Sequence, residues 1–255
     1  MTDNDLYIRG AATLLASWGE YARGSAGAAL RRLSGVAVAV FPNDPERAVY
    51  NNALLDRDLG PAERAAAVDA MEATYRSAGV DRYAAWVHES DEGMRAELSG
   101  RGYTLEESTR AMGMSLGDIS LAVPEVELGP PDWGEYLRIL SALGAPAGVL
   151  SGADPSAFYV LVARVAGENV ATALAFDHDG DCGVFNVGTL EAARRRGLGT
   201  ALTARHLRDA VERGCSTASL QSTPMAEPVY AALGFRDLGR ILEYVPWRSS
   251  WRRAS

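Results

Sequence analysis

The chain has 255 residues, 47% hydrophobic and 23% charged, the composition of a globular protein with room for one or two cores. Its formal net charge of −8 weighs against nucleic-acid binding, because there is no general positive field to gather phosphates. The two cysteines (Cys182, Cys215) and three histidines (His88, His178, His206) suggest buried free thiols rather than a disulfide framework or a metal site. No stretch is long enough for a membrane span, and the acidic, polar start is unlike a signal peptide, so a cytoplasmic location is expected.

In chain order, residues 6–22 read as an amphipathic helix that buries Leu6, Leu14, Leu15, Trp18 and Tyr21. Gly35–Phe41 is a strand ended by Pro42-Asn43-Asp44-Pro45, and Ala48–Leu54 is a second. Pro61–Ala78 is a helix with proline in its first turn. Tyr83–His88 is a strand, Asp91–Gly100 a short helix and Arg110–Leu116 a strand. The boundary between two halves falls near 117–131, giving domains 1–117 and 118–255. Leu121–Leu128 opens the second half as a strand. Asp132 then caps a helix to about Leu143, and Gly144–Asp154 is a flexible loop of small residues. Cys182–Leu190 is a strand, Leu198–Val211 a helix stopped by Gly214, and Ser216–Gln221 a strand. Pro224–Leu233 is a short helix ending at Gly234, and Ile241–Trp247 is the closing strand.

Between the strand at 182–190 and the helix at 198 lies Arg194-Arg195-Arg196-Gly197-Leu198-Gly199-Thr200. The first N–H groups of a helix lack intrahelical partners and carry the positive end of its dipole. A phosphate can rest on them, and glycine removes the Cβ that would block its approach. The arginines add charge and forked donors. The stretch is neither a Walker loop nor a full dinucleotide fingerprint, and taken alone it also reads as an Arg-rich helix start on a solvated surface. The second informative piece is Tyr230-Ala231-Ala232-Leu233-Gly234-Phe235. It offers a phenol one turn before a glycine stop, which is otherwise an ordinary packed tyrosine.

Together, Arg194-x-x-Gly197-x-Gly199 and Tyr230-x-x-x-Gly234-Phe235 make residues from about 121 to 247 resemble the GNAT superfamily of acyl-CoA-dependent N-acetyltransferases. The resemblance implies an α/β (α+β) fold with a mixed, mostly antiparallel sheet flanked by helices. It implies that the main chain of Val187, Gly188 and Thr189 pairs with the pantetheine arm of acetyl-CoA. It also implies that the loop and helix start from Arg194 through Arg195, Arg196, Gly197, Leu198, Gly199 and Thr200 hold the pyrophosphate, and that Tyr230 is the general acid. Members often carry proline after the fourth strand. Glu191 stands there instead and puts a carboxylate near the site mouth, as one candidate base for the attacking amine.

Asp177, His178 and Glu227 are further base candidates, each with a plainer reading: a hairpin turn at Asp177-His178-Asp179-Gly180, and a first-turn helix carboxylate at Glu227. Glu191 in turn balances the nearby arginines. The expected reaction is acetyl transfer to a primary amine, on a small molecule or a peptide, by a monomer or homodimer without metal, nucleic acid or membrane. A non-catalytic acyl-CoA sensor is the alternative.

The first half mirrors the second. Asn51 to Gly79 and Asn186 to Gly214 both span 28 positions, and Gly102-Tyr103 parallels Gly234-Phe235. A degenerate second copy, a pseudo-tandem, is inferred. Its counterpart of residues 194–199 is Leu59-Gly60-Pro61-Ala62-Glu63-Arg64, where Pro61 lacks a donor and Glu63 repels phosphate. Leu98 stands in place of Tyr230. Trp86 and His88 line an acceptor pocket on this view, or pack in a core.

Overall fold

The computed structural model describes residues 1–43, 50–117, 119, 125–145 and 147–246. Its first helix, α1 (Asp3–Arg23), starts where Thr2 and Asp5 satisfy each other's amides: Thr2 Oγ1 accepts from Asp5 N at 3.1 Å, and Asp5 Oδ2 accepts from Thr2 N at 2.8 Å. Then come β1 (Ala29–Leu33), β2 (Val36–Val40), β3 (Asn52–Leu55), α2 (Pro61–Ser77), β4 (Ala84–His88), α3 (Glu92–Gly100) and β5 (Tyr103–Ser115). There follow β6 (Glu127–Gly129), α4 (Trp133–Ala142), β7 (Tyr159–Val165), β8 (Glu168–His178) and β9 (Asp181–Thr189). The chain closes with α5 (Leu198–Glu212), β10 (Thr217–Ser222), α6 (Glu227–Ala232) and β11 (Arg236–Pro246). The strands are mixed and mostly antiparallel, as expected.

Packing divides the chain into two compact units: Met1–Ser25 with Arg110–Leu238, and Ala26–Thr109 with the described residues from Gly239 onward. In the larger unit β6, β7, β8 and β9 are antiparallel neighbours, β9 and β10 run parallel, and β10 pairs antiparallel with β5 (Ser222↔Arg110 to Thr217↔Ser115). In the smaller unit β1, β2 and β3 are antiparallel, β3 and β4 parallel, and β4 pairs antiparallel with β11 (Ile241↔His88 to Tyr244↔Ala85). Leaving aside the edge strand β6, each unit thus repeats three antiparallel strands, a helix, a parallel strand and a closing antiparallel strand. The closing strands are exchanged, because β5 follows α3 in sequence yet bonds to β10, and β11 follows α6 yet bonds to β4. The linear division at 117/118 is therefore not the line along which the residues pack.

Helices α2, α4, α5 and α6 end alike. Gly79, Gly144, Gly214 and Gly234 have φ of +66°, +83°, +93° and +96°, and the residue after each donates to the carbonyl five residues back. Val80, Cys215 and Phe235 make that bond at 3.0, 2.9 and 3.1 Å. Gly102 has φ +84° after α3. The glycines matched between the two halves thus share a conformational reason.

Several expectations change. Strand β5 starts at Tyr103 instead of Arg110, β11 starts at Arg236 instead of Ile241, and α6 starts at Glu227 instead of Pro224. Strands β1, β7 and β8 add to the expected elements. Parts of the Ala48–Leu54 and Leu121–Leu128 strands, and Trp247, lie outside the described residues. Within Gly144–Asp154, the stretch expected as a flexible loop, at least Leu150 and Gly152 are closely packed. Leu150 is fully buried in a 3₁₀ turn (Ala147–Leu150), its carbonyl accepts from Trp133 Nε1 at 3.3 Å, and a Cβ on Gly152 would run into the Gly24 carbonyl. Cys182 and Cys215 are buried and free. Among the described residues no helix is long and apolar enough to cross a membrane.

Candidate active site

The site is opened by two strands that part. β9 and β10 pair only from Thr217↔Asp181 to Ser219↔Gly183, while β10 runs on with β5 to Ser222. Beyond Gly183 the β10-facing main chain of β9 gains no partner from that strand. β9 also bulges there: Phe185 opposes Leu174 and Gly188 opposes Thr172, so Asn186 and Val187 share Ala173. Asn186 takes φ +53°, a left-handed conformation that asparagine tolerates, and its Nδ2 donates to the hydroxyl of fully buried Tyr136 at 3.0 Å. Gly188 is glycine because Leu143, at the end of α4, packs on it where a Cβ would stand.

The cradle forms one turn later. Arg195 (φ +62°) and Gly197 (φ +73°) curl the chain from the 3₁₀ turn Glu191–Ala193 into α5. Gly197 is the N-cap and has no side chain to cap with, so the amides of Leu198, Gly199 and Thr200 have no acceptor inside the helix or from its cap. No acidic residue stands in that first turn. A Cβ on Gly197 would touch nothing, so its left-handed φ is what calls for glycine. Arg194, Arg195 and Arg196 are exposed, and Arg194 Nε donates to the Thr189 carbonyl at 3.2 Å.

Tyr230 is held by the stop of α6. Phe235 N donates to Tyr230 O at 3.1 Å, Gly234 N donates to Ala231 O at 3.0 Å, and the rings of Tyr230 and Phe235 meet edge to face at 6.0 Å. The spacing Tyr-x-x-x-Gly-Phe is that of a helix stop in which the residue after the glycine packs on the residue five before it. Tyr230 is 6% exposed, and burial pushes its phenol up to about 12.

One cavity of about 550 Å³ gathers most of the expected residues: Val187, Gly188, Thr189, Arg194, Arg195, Gly197, Leu198, Gly199, Thr200 and Tyr230. Arg196 and the exposed Glu191 are outside its lining. Sequence reasoning missed the rest of the wall, notably Leu140 and Leu143 from α4 and Thr223, Met225 and Val229 before and on α6. Leu140 and Leu143 belong to an apolar helix stripe that reads as core, and Met225 carries no local signal at all. The other base candidates are engaged. Asp177 accepts from Arg213 at 2.6 and 2.9 Å, and Glu227 accepts from Arg110 Nε at 3.0 Å. His178 Nε2 is 3.4 Å from Asp179 beside a two-residue turn, in which Asp179 (φ +47°) and Gly180 (φ +76°) form the tight hairpin expected there. Trp86 and His88 are buried in β4 of the smaller unit.

Residues 129–235 match the model of the Acetyltransferase (GNAT) family. No curated protein sequence matches the chain. Among solved structures, a GCN5-related N-acetyltransferase from Kribbella flavida is similar with a TM-score of 0.72 at 22% identity, over 95% of this chain and 96% of that one. A GCN5-related N-acetyltransferase from Sphaerobacter thermophilus is similar at 0.63 and 16% identity, over 96% and 93%. A functionally unknown conserved protein from Staphylococcus epidermidis is similar at 0.61 and 14%, over 85% and 92%. At these identities the likeness speaks to the fold.

Proposed function

From the GNAT acetyltransferase domain that residues 129–235 carry, we propose that the protein transfers an acetyl group from acetyl-CoA to a primary amine by direct attack, with Tyr230 as general acid. The observation that carries this reading is the single cavity shared by the open start of α5, the bulged main chain of β9 and the phenol of Tyr230. The chemistry of the donors suits acyl-CoA. The amides of Leu198, Gly199 and Thr200, with Arg194 and Arg195 beside them, suit a diphosphate. A Cβ on Gly199 would meet only Val187 Cγ1 at 3.7 Å, so the glycine leaves space between helix and strand. The β10-facing main chain of Val187–Thr189 suits the amides of a pantetheine arm as an added strand. Arg196 supplies charge at the exposed rim.

In this reading the bound thioester supplies the electrophile, and the protein orients it, donates to the developing oxyanion from the main chain of β9, and protonates the leaving sulfur. With its pKa near 12, Tyr230 stays protonated through neutral and mildly alkaline pH. Full proton transfer to a thiolate of ordinary pKa, about 8.5, is then uphill by about 5 kcal/mol. The same exclusion of water also destabilises the thiolate, which narrows the gap; the proton moves as sulfur gains charge. Glu191, exposed and two positions before the cavity wall at Ala193, is the candidate base in this reading, acting on the acceptor amine through water. The smaller unit is the degenerate copy of a pseudo-tandem: it repeats the topology but closes its own helix start with Pro61 and Glu63.

A sensor that binds acyl-CoA without turnover has no use for a buried phenol in the same cavity, which favours catalysis. Thiol release from acetyl-CoA across a panel of amines is the test. Tyr230→Phe should lower kcat by roughly 10²- to 10⁴-fold while coenzyme affinity by calorimetry stays within about twofold. Unchanged turnover in that variant removes the general-acid role.

A further inference from the structure

We propose that Arg110 is a positioning residue for Tyr230, so that the strand from the first half of the chain sets the catalytic phenol of the second. The inference rests on the general-acid reading of Tyr230. Its basis is a forked contact. Arg110 Nε donates to Glu227 Oε2 at 3.0 Å, and Arg110 Nη1 donates to Asp237 Oδ2. Glu227 is the first residue of α6, three before Tyr230 and on the same helix face. Asp237 lies on β11, just past the Phe235 that packs on Tyr230. One guanidinium therefore ties together the two ends of the segment that presents the phenol.

That segment needs an external hold. Helix α6 has six residues, fewer than a helix needs to stand alone in water. Its N-cap is Ala226, which makes no side-chain cap; only Pro228 and main-chain turn bonds to the Thr223 carbonyl mark where it begins. Arg110 is itself fixed by the sheet, since it opposes Ser222 in the last rung of the β5–β10 ladder, directly before Thr223 of the cavity wall. The side chains of Arg110 and Glu227 are 18% and 22% exposed, so this contact is partly withdrawn from solvent screening. A planar fork can serve two carboxylates in different directions, whereas a lysine ammonium at the end of a flexible stem holds that geometry poorly. The pairing also explains why Glu227 is a poor candidate for the base.

The test is a double-mutant cycle read by thiol release, with coenzyme affinity and melting temperature measured on the same proteins. Arg110→Met should lower kcat roughly ten- to a hundredfold, with acetyl-CoA affinity within about twofold. Arg110→Lys should recover only part of the loss. In the Tyr230→Phe background, Arg110→Met should cost no further turnover, because a misplaced phenol matters only where there is one. If Arg110→Met folds poorly, Glu227→Gln with Asp237→Asn removes the same clamp from the other side and must reproduce the kcat loss and its disappearance in Tyr230→Phe. Equal losses with and without the Tyr230 hydroxyl, or parallel losses of kcat and coenzyme affinity, overturn the proposal while leaving the general-acid reading standing. Normal turnover by Tyr230→Phe alone instead removes that reading, and the positioning role with it.

Discussion

Two helices in this chain begin in the same topological place, after a strand and before its parallel neighbour, and treat their first amides in opposite ways. Helix α5 starts from Gly197 in a left-handed conformation and has no acidic residue in its first turn. Helix α2 starts from Gly60 at φ −67°, opens with Pro61, and uses its own Glu63, whose Oε2 accepts from Gly60 N at 2.8 Å. One helix start awaits an external acceptor, whereas the other has deleted one donor and brought its own carboxylate. The same contrast holds at the short helices, where buried Tyr230 lines a cavity and Leu98 is fully buried in an apolar core. A repeated topology sets where a ligand site can be; the accounting of a few donors sets whether one is there.

The sharpest way to break this comparison is Gly199→Glu, which would put a carboxylate in the first turn of α5, where α2 has Glu63. Acetyl-CoA binding by calorimetry should become unmeasurable, a loss of more than about a hundredfold. A variant that still binds one coenzyme per chain would assign the ligand to the other unit.

A further test lies in a buried histidine of the larger unit. In the larger unit His206 on α5 is 1% exposed, its Nε2 faces the Ala173 carbonyl at 3.2 Å as donor, and burial lowers its pKa to about 4. Its ordinary value is about 6.5, so between about pH 6.5 and 4 the unfolded chain binds the proton that the folded chain refuses. Stability is therefore complete above that window and falls as pH drops through it, by about 3 kcal/mol in full. Urea unfolding followed from pH 7 to pH 4 should show the loss, and His206→Gln should flatten it. An unchanged slope in the variant would remove His206 as its source.

The smallest effect is expected at the start of α2. Glu63→Gln should cost about 1 kcal/mol or less by thermal melting and should leave coenzyme stoichiometry at one per chain, because Pro61 still lacks its donor. A second bound coenzyme would show that the carboxylate alone had closed that site.

Much of the site was legible because it is local. Arg194 to Thr200 is one turn of chain whose glycine must take φ +73°, and Tyr230-x-x-x-Gly234-Phe235 is one helix stop, so both carry their geometry in their spacing. The tight contact of Gly152 carried no local signal, because glycine serves a close contact as well as a loose loop and its partner Gly24 is far away in sequence. Arg110 carried no signal, since its two carboxylates lie more than a hundred positions later.

The sequence by itself determined the helix stops, the phosphate-suited turn and the repeated order of elements, since each depends on backbone preferences and hydrophobic period within about 30 residues. Only the tertiary structure decided that β5 and β11 change places, that β9 and β10 part after Gly183, and that α4 closes one wall of the cavity. Those outcomes rest on strand register and side-chain packing between distant segments, whose free energy is shared among partners that no local window contains.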